Sequence, residues 1–157
     1  MPLRYMELMD SLTADLMPPS PVVDSRGVPW TPLDKPLAEC TVMLLNSAGV
    51  RHRDEPPFQP SNDLTFRLIP ADAPAADLAP SHPAPVRRPG EADPNVVFPL
   101  ERLRELREEG LFRAVTPYHL SMHGPIRKYR EVHHEMGPAI AEKVRAAGAD
   151  LLLLVPL

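Results

Sequence analysis

The chain is short of aromatics, cysteine, positive charge and long apolar runs, and each shortage removes a class of protein. Aromatic residues make up 5% of 157, so the interior is expected to be aliphatic. Its one cysteine, Cys40, can build neither a disulfide framework nor a thiolate zinc site within one chain. Cys40 opens an apolar run and is expected to pack as a small buried hydrophobe, not to act as a reactive thiol. A formal net charge of −4 speaks against nonspecific nucleic-acid binding, which needs a basic face. The N-terminus lacks the apolar core of a signal peptide, and the final run, Leu151–Leu157, is far too short to span a bilayer. A cytoplasmic protein with neither nucleic-acid nor membrane partners is expected.

Proline is abundant instead, with 22 residues clustered between periodic segments, where they read as rigid connections. Residues 2–17 put Leu3, Met6, Met9, Leu12 and Leu16 on one face of a short amphipathic helix. A proline-rich connection follows over 18–37, in which Trp30 plugs a surface groove or stacks on a ligand. This divides the chain into an N-terminal part, 1–37, and an α/β domain, 38–157. TVMLLN (41–46) lacks polar alternation and predicts a strand buried on both faces, as in a parallel sheet. Residues 50–63 read as a polar loop, 65–70 as a short strand suited to an edge, and 71–94 as a long loop or arm.

Leu100, Leu103 and Leu106 mark a helix that Gly110 ends, and LFRAVTPYHL predicts a third strand. Val132, Met136, Ile140 and Val144 mark a second long helix over about 126–147. Gly148, a turn and the apolar strand Leu151–Val155 follow, which is half of a βαβ unit. The fold class is α/β: a mostly parallel open sheet of about four strands flanked by helices, of the doubly wound type. The last strand is expected to lie inside the sheet. No exit loop or returning helix follows it, so the domain is incomplete, or a partner or second copy completes it.

Three blocks carry a family resemblance: KPLAECTVMLLNSAGVRHRDEPPF, DPNVVFPLERLRELREEG and AEKVRAAGADLLLLVPL. Together they resemble the selenoprotein family of glycine, sarcosine and betaine reductase component B and of D-proline reductase, over most of residues 35–157. The resemblance implies reductive cleavage of a carbon–heteroatom bond in a small amine or amino-acid-like substrate. In that family the final strand runs into a loop carrying selenocysteine, or cysteine, followed closely by another cysteine. A selenolate or low-pKa thiolate attacks carbon, and an external dithiol regenerates it. No other cofactor is implied. The chain departs from the pattern at its reactive part, which is expected just after Leu157. The expected reasons are a selenocysteine codon read as a stop, or a cut made there. As written the chain has no catalytic nucleophile and is expected to be inactive, with a thiol reductant or a partner subunit as its other partner.

Loops leaving the carboxyl ends of parallel strands carry the sites of such sheets. Ser47, Arg51, His52 and Asp54 follow the first strand and are candidates to hold substrate, the arginine as a carboxylate clamp. The same residues also read as a solvated loop with local ion pairs. His123 follows the third strand and is a candidate acid or base. It also reads as an ordinary loop histidine. His82 lies in the long loop, where it could fold over the site. His119 and His123, four apart, match no strong metal-binding spacing, and no metal is expected.

Overall fold

Strand β1 (Thr41–Asn46) is the centre of the protein, with five of its six residues fully buried, as its unbroken apolar sequence requires. The computed structural model describes residues 31–83, 85 and 87–157. The helix expected over 2–17 and the connection up to Trp30 lie outside the described residues. Leu33–Leu157 form one compact unit.

The main sheet has five strands. β7 (Leu151–Val155) pairs in parallel along one side of β1, from Val42↔Leu151 to Asn46↔Val155. On the other side β5 (Ala114–Val115) pairs with the start of β1, and β6 (Tyr118–Met122) pairs with its end, both in parallel. β3 (Phe66–Pro70) joins β6 antiparallel at the outer edge, where its Pro70 is tolerated. Two helical layers cover the sheet. Leu100 and Leu103 of α2 (Leu100–Glu108) pack with Val42, Leu44, Val97 and Phe98 on one face. Met136 and Ile140 pack with Met43 and Leu120 on the other. The fold is α/β with a mostly parallel sheet, as the strand and helix patterns predict.

Four local expectations change. The third strand is two strands, because Pro117 has no N–H to give to a ladder. Residues 50–63 and 71–94 are not plain loops. β2 (Val50–His52) pairs antiparallel with β4 (Leu78–Pro80), and α1 (Arg87–Ala92) follows. These strands are three residues long, too short for sequence periodicity to register. The second long helix starts at α3 (Tyr129–Glu131) and continues through a π-helical turn (Val132–Met136) into α4 (Gly137–Ala146). Pro138, in the first turn of α4, has no N–H to hold a regular α ladder across that junction.

The largest change concerns β7. It is a strand and it is parallel, but among the described residues only β1 pairs with it, so it stands at an edge. Leu154 is 60% exposed and Leu153 37%. Apolar composition reports how much cover a strand needs, not which neighbour supplies it, so the sequence misplaces β7 inside the sheet.

The turn after β1 depends on Gly49, which has φ +62°. A Cβ there would lie 2.8 Å from Cδ2 of His123. Gly49→Ala is therefore expected to destabilise the fold by about 2 kcal/mol, from left-handed strain plus displacement of a buried ring, measured by urea unfolding.

Candidate functional site

β6 has one apolar face and one polar face, both buried. Side chains alternate along a strand, so Leu120 and Met122 meet the α4 layer, while His119, Ser121 and His123 turn to the α2 side. His119, Ser121 and His123 are each 0% exposed. Asn46 of β1 stands in register with Ser121 and donates its Nδ2 to the carbonyl of Val97 at 3.0 Å.

His119 is explained by the break in the neighbouring strand. The β1 partner offset is 73 at Val42↔Val115 (115 − 42) and 75 at Leu45↔Leu120 (120 − 45), so two residues bulge out between β5 and β6. The N–H of Leu44 falls in that gap and donates to His119 Nδ1 at 3.1 Å. The ring must accept at Nδ1, so it is neutral with its proton on Nε2. Burial, aided by the Arg104 cation, holds its pKa down to about 4.

His123 occupies a different position. Its ring stacks on Phe58, with centroids 5.8 Å apart and planes 12° apart, and Arg67 lies 4.5 Å from the Phe58 centroid. His82, also buried, is tilted against His123 at 5.4 Å. Burial lowers the His123 pKa, opposed by the Ser81 backbone, which comes close to the ring but outside hydrogen-bond geometry, and by the Asp63 carboxylate. His82 is lowered by burial and then by the neighbouring His123. Asp63 stays ionised although burial works to raise its pKa. Hydrogen bonds from Thr65 Oγ1 and from the backbone of Gln59 and Thr65 outweigh that cost, and Arg67 adds to them.

The ends of β1, β6 and β7 meet at Gly124. A Cβ at Gly124 would lie 3.1 Å from His82 Nε2, 3.1 Å from the Ser47 carbonyl and 3.4 Å from the Leu157 carbonyl. Ser47 ties the first and last strands together: its N–H donates to the Val155 carbonyl at 3.3 Å, and its Oγ accepts from the Leu157 N–H at 2.8 Å. Several buried polar atoms here have no hydrogen-bond partner within the protein: Asn46 Oδ1, Ser81 Oγ, Ser121 Oγ and both ring nitrogens of His123. Such clustering is unusual, because buried polar groups are nearly always paired.

Of the residues the sequence offers as candidates, Ser47 and His123 come to this place, and His82 joins them. Arg51, His52 and Asp54 go elsewhere with β2. The Arg51 guanidinium donates to the carbonyls of His52, Arg53 and Glu55, so it braces its own turn. His52 lies 3.5 Å from Asp54 and 3.9 Å from Asp77, and borders a cavity of about 550 Å³ floored by Ile69 and Leu78. Asn46 and Ser121, which the sequence does not offer as candidates, join Ser47, His82 and His123. The alternation of His119, Ser121 and His123 was the available signal, since on a strand it fixes one shared face.

Residues four apart on a strand are about 13 Å apart, so His119 and His123 cannot share a metal ion. Among the described residues no group of three or more His, Cys, Asp or Glu is placed to hold one. Cys40 is fully buried at the amino end of β1, opposite this cluster, with Sγ 3.4 Å from the Pro36 carbonyl. No described helix is long and apolar enough to cross a membrane.

The chain is similar to D-proline reductase subunit gamma of Acetoanaerobium sticklandii, at 34% identity over 125 residues. The match covers 80% of this chain and 52% of that subunit, so the chain spans about half the length of the curated relative it matches. No family model matches, and no solved structure does.

Proposed function

We propose that this chain is a component of a reductase of the D-proline reductase kind, cleaving a carbon–nitrogen bond in a small amine or amino acid. Similarity to a subunit of such a reductase supports the reading. The observation that carries it further is the convergence at Gly124, where the Leu157 backbone, the Ser47 loop and the buried His82 meet. A selenocysteine or cysteine carried just past β7 would stand beside the buried imidazole of His82. Parallel sheets place their reactive groups at this end.

In this reading the nucleophile is a selenolate or thiolate, and a dithiol supplies two electrons and leaves as a disulfide. The imidazole N–H of His82, neutral because burial lowers its pKa, hydrogen-bonds the anion without protonating it, with His123 behind it. The partners are the substrate, a thiol reductant and further subunits of the reductase.

The test is an assay of the polypeptide encoded by the whole reading frame, with its partner subunits, on D-proline and related cyclic and acyclic amines with a dithiol donor. Turnover is expected, with complete loss when the selenocysteine or cysteine after β7 becomes serine. Turnover that survives this replacement, or no turnover of any such amine, overturns the reading.

A second reading is a non-catalytic α/β module that binds a partner chain through β7 or through the helix expected over 2–17, which lies outside the described residues. The observation behind it is the edge position of β7, with Leu153 and Leu154 exposed. An assembly that Leu154→Glu dissociates, and that never turns over substrate, favours this second reading.

A further inference from the structure

The unpaired polar atoms behind His82 form a continuous series. Asn46 and Ser121 are register partners on adjacent parallel strands, so their side chains share the α2 face. His123, just past the end of β6 and two residues beyond Ser121, continues the same alternation. His123 and Ser81 both border Gly49, whose Cβ position is 2.8 Å from the His123 ring and 3.4 Å from Ser81 Cβ. His123 then meets His82, whose Nε2 borders Gly124 together with the Leu157 carbonyl. The series leads from Asn46 on the central strand to the end of β7, where Leu157 is 40% exposed.

Hydroxyl, amide and imidazole groups buried this deeply are destabilising when left dry. Ordered internal water is the usual remedy, since one molecule satisfies two to four such groups. Asn46 Oδ1 can only accept, the Ser81 and Ser121 hydroxyls donate or accept, and neutral His123 offers one donor and one acceptor. The set therefore suits water and offers no fixed charge for an ion.

We propose that Asn46, Ser81, Ser121 and His123 enclose internal water that links them into a hydrogen-bonded network ending at His82, beside the tip of β7. The network rests on the reductase reading for its use, but the water does not. Reductive cleavage of a carbon–nitrogen bond consumes two electrons and two protons, both supplied by a dithiol that leaves as a disulfide. One proton ends on carbon and the other on the departing nitrogen, which keeps the electron pair of the broken bond. The dithiol, reacting at the same end of the sheet, gives up to His82 the proton bound for nitrogen, and His82 delivers it, while the water-linked groups behind hold the imidazole in place. Asn46, Ser81, Ser121 and His123 are positioning residues in this scheme.

The test has two arms. A high-resolution crystal structure of this chain, or water–amide NOEs in solution, is expected to place ordered water against Ser121 Oγ and His123. Ser121→Val is expected to expel it and to move the His123 ring-nitrogen NMR resonances, with the circular dichroism spectrum unchanged. A dry chamber in the wild-type protein overturns the proposal and leaves the reductase reading standing. In the assembled enzyme, His82→Gln is expected to lower kcat on the order of 10²-fold, the scale of a lost proton-transfer group, with KM little changed. Ser121→Val is expected to lower kcat about tenfold through the same route, a partial loss within the range for proton transfer. Wild-type kcat in both variants overturns the scheme. A hydrated chamber in a wild-type assembly that turns over no amine instead overturns the reductase reading.

Discussion

Between pH 7 and pH 4 the fold is expected to lose about 3 kcal/mol through His119 alone. In the unfolded chain this imidazole takes up a proton near pH 6.5, whereas in the fold burial and the Arg104 cation delay protonation to about 4. Between these values the unfolded state binds more protons than the folded one, so stability falls as pH falls. The contribution is fully present above 6.5 and is gone once the pH passes below the folded value. His82 and His123 are also depressed by burial and act in the same direction. Asp63 acts lower down: its carboxyl is depressed from 3.8, so its contribution is lost only as pH falls below that. The comparison that isolates His119 is His119→Gln, whose amide oxygen can still accept from the Leu44 N–H but does not titrate. Urea unfolding across pH 4–7 should show the wild type losing about 3 kcal/mol more than the variant. Parallel curves would show that His119 is not the buried neutral acceptor of the β1 ladder.

His119 also shows where the sequence stops being legible. TVMLLN reads correctly as a buried strand, because its apolar core, Val42–Leu45, shows no polar alternation. The helix bearing Leu100 and Leu103 reads correctly as well, from a 3.6-residue period and a glycine stop. In the sequence His119 and His123 read as a pair four apart at a strand-to-loop exit, with no strong metal-binding spacing. On a strand that spacing separates them, so one repairs a bulge and the other stacks on Phe58. Which strand stands beside Leu44, and that Pro117 interrupts it, is long-range information absent from local periodicity. The same holds for His82. Its place beside His123 depends on β4 pairing with β2, and on the N–H groups of Ser81 and His82 donating to the carbonyls of Gly49 and Ala48. Arg51 errs in the other direction. A cation after a buried strand reads as a substrate clamp, yet its guanidinium is directed at the carbonyls of its own turn.

If the proposed reductase reading holds, Gly124→Val is expected to lower kcat of the assembled enzyme on the order of 10²-fold, as a displacement of about 1 Å does to reacting groups. The position leaves room for no side chain. Its Cβ would press on His82 Nε2 and the Ser47 carbonyl, both at 3.1 Å, and touch the Leu157 carbonyl at 3.4 Å. These three atoms belong to the segments that bring a proton-transfer group, the β1 exit loop and the end of β7 to one point. Gly124→Ala places a single methyl there and should give a smaller loss, because each neighbour need yield only a few tenths of an ångström. Two branching methyls exceed that allowance and force His82 and the end of β7 apart, with an overpacking cost of about 1–3 kcal/mol. Circular dichroism and the urea midpoint check that both variants stay folded, and kcat and KM on D-proline report the site. The order wild type, Ala, Val in kcat, with both variants folded, is the signature of a reaction at the meeting point of β1, β6 and β7. Equal kcat in all three places the chemistry elsewhere, most directly in the cavity beside His52 on the β2–β3 side.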